Sequence, residues 1–259
     1  MPITLYGDIG KRYDELTNLN APNPNWLGAP TTEERDIDGG RVQKFENGSI
    51  FWWPDLGARD LRHVSVRYKG LYAFGEMDWD QGSSSDEPYV TIGVAPTPAG
   101  QGFPMRSQIY EDVDAGDSRP DYVEIYVGEA YGTQLFCGLF EHDTGDQDMV
   151  RNAFIAAGEE AARRGQEACA GQVGPEVGDI CKYIWENGGR DASSSLIDDL
   201  LGTGDDTLAK WPWYVSPKEM IRMIWEPRKE HWGITYTTES HLLSAGGGSW
   251  KIYLEVLAV

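Results

Sequence analysis

The residues whose types and spacing could do chemistry are carboxylates gathered in two short stretches. The first runs Asp80-Gln81-Gly82-Ser83-Ser84-Ser85-Asp86-Glu87-Pro88, with Asp78 just before it; the second runs Glu141-His142-Asp143-Thr144-Gly145-Asp146-Gln147-Asp148. A calcium ion takes roughly 6–8 hard oxygen ligands, and flexible acidic loops supply them. Gly82 and the serines let the first stretch curl around an ion. Transition metals favour histidine or cysteine, and the 4 histidines and 3 cysteines are scattered without paired spacing. The sequence therefore nominates Asp78, Asp80, Asp86, Glu141, Asp143, Asp146 and Asp148 as Ca2+ ligands, joined by Asp206 from the Asp205-Asp206 pair further on. Carboxylates converging within ~6 Å raise one another's pKa unless a cation sits among them.

A second kind of chemistry rests on Trp52 and Trp53, which are adjacent. On a strand, neighbouring side chains point to opposite faces, so one indole is expected in the core and the other in solvent as a platform for a sugar ring. Catalytic signatures are absent: there is no Gly-x-Ser-x-Gly, no His-Glu-x-x-His and no phosphate-binding glycine loop. An acidic pair such as Asp78 and Asp80 beside Trp79 would suit a glycoside hydrolase, and that is one alternative. No catalytic residue is nominated.

The bulk numbers narrow the partners. A net charge of −20, from 42 acidic and 22 basic residues, repels nucleic acid phosphates, so nucleic acid is not an expected partner. The apolar fraction of 40% and aromatic fraction of 12% suffice for a packed core. Cys137, Cys169 and Cys181 allow one disulfide at most and leave at least one thiol free. No apolar run reaches membrane-spanning length, and Met1 to Gly10 lacks the basic and hydrophobic regions of a signal peptide.

The elements that must position these residues are mainly strands. The N-terminal third is dense in glycine, proline and tryptophan and reads as irregular β structure. Strand candidates follow at Val64–Tyr68, Leu71–Phe74, Tyr89–Ala95, Gln108–Val113, Tyr122–Val127 and Leu135–Phe140, with the acidic stretches in the turns between them. Val150, Ala153, Phe154, Ala157 and Ala161 recur at helical spacing, and Glu176–Glu186 and Ser193–Leu201 read as shorter helices. β structure returns at Trp211–Val215, Trp232–Thr237 and Trp250–Val259. The expected fold is mainly β: an antiparallel β-sandwich over 62–259 with a helical insertion at about 149–201, behind a small irregular β unit at 1–61. The helices offer another alternative, a secreted toxin-like or membrane-interacting component. Glu159, Glu160 and Glu167 beside only Arg163 and Arg164 argue against strong attraction to anionic membrane.

Two resemblances sharpen this. Trp26-Leu27-Gly28-Ala29-Pro30-Thr31-Thr32-Glu33-Glu34, then Gly39-Gly40, then Phe45-Glu46-Asn47-Gly48-Ser49-Ile50-Phe51-Trp52-Trp53-Pro54 and Gly57-Ala58 resemble one LGFP repeat over residues 15–61. That module belongs to exported, envelope-associated proteins, so the resemblance implies a partner such as a cell-envelope glycan or other surface ligand, and an extracellular or cell-surface location. Asp80, Gly82, Asp86, Pro88, Tyr89 and Val90, with Glu141, Asp143 and Asp148, are similar to the calcium loops of a C2 domain. Glu87 is inserted between Asp86 and Pro88, and a helix follows Asp148 where a C2 domain returns to a strand. This second resemblance implies a calcium-binding sandwich whose membrane contact, if any, is calcium-mediated. Together the expectation is a calcium-binding, cell-surface or cell-wall glycan-associated binding protein.

Overall fold

The structure is a computed structural model that describes residues 3–18, 20, 22–75, 86–95, 99–142, 147–169 and 206–259. Helix α1 (Gly7–Thr17) precedes strands β1 (Arg35–Ile37), β2 (Gly40–Phe45), β3 (Gly48–Trp53) and β4 (Gly57–Leu61). Then come β5 (Val64–Gly75), β6 (Pro88–Val94), β7 (Gly100–Gly102), β8 (Met105–Arg106), β9 (Ser118–Gly128) and β10 (Thr133–Glu141). Helix α2 (Gln147–Cys169), β11 (Asp206–Val215) and α3 (Pro217–Trp225) lead to β12 (Lys229–His231), β13 (Ile234–Tyr236), β14 (Thr238–Glu239), β15 (Leu243–Ala245) and β16 (Gly248–Ala258).

The fold is mainly β, built from antiparallel sheets. A sandwich forms from the sheet β14-β16-β5-β9-β7 and the sheet β11-β10-β6-β8. Period-two alternation sorts the side chains: Val64, Val66, Tyr68, Leu71 and Ala73 of β5 share one apolar cluster with Val90 and Ile92 of β6 and Leu135, Cys137 and Leu139 of β10. The opposite face of β6 and β10 is apolar too. There Tyr89, Phe136 and Phe140 pack on Val150, Phe154 and Ala157 of α2, the i, i+4, i+7 face expected of that helix. Two glycines let the helix come this close. A side chain at Gly93 would run into the Phe154 carbonyl, and one at Gly138 into the Phe140 and Phe154 rings.

The small N-terminal sheet β1-β2-β3-β4 is equally two-sided. Ile37, Val42, Phe51 and Trp53 join the sandwich cluster, while Phe45 and Ile50 face Ile9 of α1 and Leu27. Tyr13 of α1 stacks on Phe45 at 5.1 Å between ring centroids.

Several elements differ from the sequence expectation. Val64–Tyr68 and Leu71–Phe74 are one strand, carried through register shifts near Gly70, whose φ of +130° and missing Cβ accommodate the Arg119 carbonyl of β9. Gln108–Val113 is not a strand; Val113 forms an isolated bridge to Asp86, and the Tyr110 amide donates to the Pro88 carbonyl at 3.0 Å. The segment instead wedges Tyr110 into the core, where its hydroxyl donates to Asp121 at 2.9 Å and lies 3.1 Å from that of Tyr68. Helices α1 and α3 were not expected. Helix α3 opens on a capping box at Ser216-Pro217-Lys218-Glu219: Ser216 Oγ accepts from Glu219 N and Glu219 Oε2 accepts from Ser216 N. The expected helices Glu176–Glu186 and Ser193–Leu201 lie outside the described residues.

Two outcomes test this packing. Gly93→Ala or Gly138→Ala should lower stability by about 1–3 kcal/mol through overpacking, seen as a drop in thermal midpoint. Unchanged melts for both would mean α2 does not sit this close. The second concerns tyrosines. Burial pushes the hydroxyls of Tyr68 and Tyr110 up, and that of Tyr131 up to about 12. A group with a raised folded pKa keeps its full contribution below its unfolded value and loses it as pH climbs toward the folded one. Stability should therefore fall above pH ~10, by about 1.4 kcal/mol per pH unit for each such tyrosine. Far-ultraviolet circular dichroism and tyrosinate absorbance, followed together, should show part of the tyrosinate appearing only with unfolding.

Candidate functional site

Three of the nominated acidic residues, Asp86, Glu141 and Asp206, lie at or beside strand ends on one end of the sheet β11-β10-β6-β8. Glu141 closes β10 and is flanked by Pro88 of β6 on one side and Asp206 of β11 on the other in the strand register. The Glu87 amide donates to Glu141 Oε1 at 2.6 Å, and the His142 amide donates back to the Glu87 carbonyl at 3.2 Å. Asp86, immediately before, is 4% exposed and exchanges backbone hydrogen bonds with Val113. Three strand termini thus bring Asp86, Glu141 and Asp206 to the same sheet end. They come from well-separated parts of the chain, which antiparallel pairing collects here.

Other nominated residues fall elsewhere. Asp148 lies exposed in the first turn of α2, where a carboxylate complements the helix dipole. Asp78, Asp80, Asp143 and Asp146 lie outside the described residues. Among the described residues no group of three or more His, Cys, Asp or Glu side chains is arranged to hold a metal. A further acidic turn at Asp112–Asp117 is closed by Arg119, which donates to the Asp112 carbonyl at 2.7 Å and to Asp117 Oδ2 at 2.9 Å.

The tryptophan pair alternates as expected, but its outer face is covered. Trp53 is 1% exposed, stacked on Phe51 at 6.2 Å, with its indole N–H donated to the Asp38 carbonyl at 3.1 Å. Stacking on a ligand needs an open face, and this ring has none. Trp52 lies on the α1 side, half-buried, and donates to Asp8 Oδ2 at 3.1 Å. The helix accounts for the difference: it caps the side that the sequence left to solvent.

The turn that opens this sheet explains its own residue types. Leu27 is fully buried, and Gly28 adopts φ +76° with no room for a Cβ beside Glu46. The Ala29 amide donates to Glu46 Oε2 at 3.1 Å, the Asn47 amide to the Leu27 carbonyl at 3.0 Å, and Pro30 bridges to Phe45. A side chain at Gly48 would meet the Leu61 carbonyl. Leu27-Gly28-Ala29-Pro30 is therefore locked to Phe45-Glu46-Asn47-Gly48 by contacts that tolerate few other residues. Residues 27–82 match the LGFP repeat. The LGFP match runs past the small sheet into β5, so the repeat and the sandwich share a strand as well as a core.

No curated protein matches the chain in sequence. Among solved structures, human GIVD cytosolic phospholipase A2 in complex with methyl gamma-linolenyl fluorophosphonate is similar at a TM-score of 0.33 and 8% identity. That likeness covers 76% of this chain and 17% of the other, so this chain spans about a sixth of that length. A likeness at this level says nothing of function.

A polar cleft of about 320 Å³ runs along the seam between the LGFP hairpin and the sandwich, lined by Lys44, Glu46, Asn47, Arg62, His63 and Glu129. Its charges are engaged: Lys44 pairs with Glu129 at 2.8 Å and lies 4.8 Å over the Tyr131 ring.

The seam predicts unequal costs for the two tryptophans. Trp53→Ala should destabilise by about 3–5 kcal/mol, as other aromatic core truncations do. Trp52→Ala, half-buried with one hydrogen bond, should cost about 1–2 kcal/mol. Chemical denaturation of both variants would check the order, and a reversed order would place the wrong indole in the core.

Proposed function

We propose that this chain is a recognition module that works at a cell surface, binding calcium at the acidic end of the β11-β10-β6-β8 sheet and a surface glycan as its ligand. The observation that supports the calcium part is the strand register at Glu141, which sets Pro88 on one side and Asp206 on the other, with Asp86 two residues before Pro88. Carboxylates drawn to one sheet end from distant parts of the chain repel one another, and a hard divalent cation offsets that repulsion while accepting irregular oxygen geometry. The sequence on either side of Asp86 and Glu141 also carries Asp78, Asp80, Asp143 and Asp146, which lie outside the described residues. The surface part is supported by the LGFP match, since that repeat is associated with cell surfaces.

Binding to the native state alone stabilises it by about 2.7 kcal/mol at a hundredfold excess over Kd. Millimolar calcium should therefore raise the thermal midpoint by several degrees, with magnesium doing less because it demands octahedral order. Glu141→Gln keeps a carbonyl oxygen for the Glu87 amide and removes the charge; it should abolish most of the shift, as should Asp86→Asn. Equal melting curves in calcium, magnesium and chelator would overturn the calcium reading.

A further inference from the structure

The outer face of the sheet β14-β16-β5-β9-β7 carries an aromatic group that neither the acidic end nor the LGFP unit explains. Tyr72, Ile234, Tyr236 and Tyr253 form a buried base where the β12–β13 hairpin lies over β5 and β16. On that base stand two open rings, Phe74 at 44% exposure and Trp232 at 63%. Trp232 lies nearly parallel to Tyr72, with an interplanar angle of 12° and 6.0 Å between centroids. One side of the indole is thereby supported and the other is open. His231 stands between the two rings, 5.9 Å from Phe74 and 6.0 Å from Trp232, and is fixed by a 2.7 Å hydrogen bond between its Nδ1 and the Tyr253 hydroxyl.

The position of this tryptophan is costly. It is the first residue of a two-residue hairpin turn, with φ +49° followed by Gly233 at +81°. Such turns favour asparagine, aspartate or glycine at both positions, and a bulky ring in the left-handed region is an outlier. The turn has its own closure, because the Gly233 amide donates to Glu230 Oε1 at 2.7 Å. Folding therefore needs no tryptophan here. A large ring kept exposed in a strained turn indicates a use outside the fold.

The geometry points to a carbohydrate platform at Trp232 and Phe74 that takes a neutral, gluco-configured pyranose chain. A pyranose with equatorial hydroxyls turns apolar C–H faces to a flat ring and hydroxyls to the rim. The rim here is polar and balanced: Lys251 pairs with Glu239 at 2.9 Å while lying 5.9 Å over the Phe74 ring, and Lys229 and Glu230 add one charge of each sign. Balanced donors and acceptors suit hydroxyl groups and give no advantage to an anion. This deepens the surface-glycan reading by naming its site and sugar class, and is independent of the calcium part.

The test is titration of the whole chain with cellohexaose and chitohexaose, followed by calorimetry and tryptophan fluorescence, with hexagalacturonate as the charged comparison. Both neutral chains, or one of them, should bind and quench fluorescence, equally in calcium and in chelator. Trp232→Asn should weaken binding about tenfold or more, while its melting midpoint stays equal to the parent's or rises, because asparagine accepts the turn. Trp52→Ala should bind as the parent does. Absence of binding by either neutral hexaose up to about 5 mM, above the millimolar range of weak single-site contacts, would overturn the proposal. So would binding of hexagalacturonate alone, or a Trp232→Asn variant that melts well below the parent. A calcium shift without sugar binding sinks this inference and leaves the ion site standing; sugar binding without a calcium shift does the reverse.

Discussion

A strand sends successive side chains to opposite sides, so a sheet that is apolar on both faces persists only when both are covered. In this chain β6 and β10 meet that condition between the sandwich interior and α2, and β2 and β3 meet it between the sandwich and α1. Glycines set the spacing of the tightest of these layers, since a single methyl at Gly93 or Gly138 would separate α2 from its sheet. The outer face of β5 and β16 is the exception, closed by the β12–β13 hairpin over Tyr72 and Tyr253 and left open at Phe74 and Trp232.

The same constraint joins the LGFP unit to the sandwich. Phe51 and Trp53 leave the small sheet and enter the shared cluster, and Phe51 meets Tyr131 edge-on at 5.6 Å. Ion pairs cross the seam as well, Lys44 to Glu129 at 2.8 Å and Lys218 to Asp55 at 3.0 Å. Partly exposed pairs of this kind contribute about 0–1 kcal/mol each, against about 3–5 kcal/mol for a buried tryptophan. Apolar contact therefore holds the two parts together, and the ion pairs set orientation.

Charge is distributed to match. With 22 basic against 42 acidic residues, cations are scarce, yet Arg67 and Lys69 flank the Tyr122 ring, Arg62 lies over Trp26 and Arg59 over Trp225. Glu255, 3% exposed, is held by Arg228 at 3.1 Å and Lys69 at 3.6 Å. Two cations this close offset the cost of burying its carboxylate.

Local physics made much of this readable in the sequence. Alternation at Val64, Val66 and Tyr68 marked β5, helical spacing from Val150 to Ala157 marked α2, and the glycines and prolines around Leu27 and Phe45 marked the LGFP repeat, because periodicity and turn chemistry act over a few residues. The capping-box spacing of Ser216 and Glu219 carried a local signal for α3 as well, but it did not lead to an expected helix there. What the sequence left open depends on partners far along the chain. It determined that Trp52 and Trp53 face opposite ways; only the docking of α1 decided that the outward one, Trp52, would be half-buried. It placed acids at Asp86, Glu141 and Asp206; only strand register, set by packing on both faces of the sheet, decided that Glu141 would pair with Asp206 on one side and with Pro88, two residues after Asp86, on the other. And Trp232 read as the start of a strand, until its pairing put it in a left-handed turn with one face to solvent, since a residue's exposure follows from what the rest of the chain lays against it.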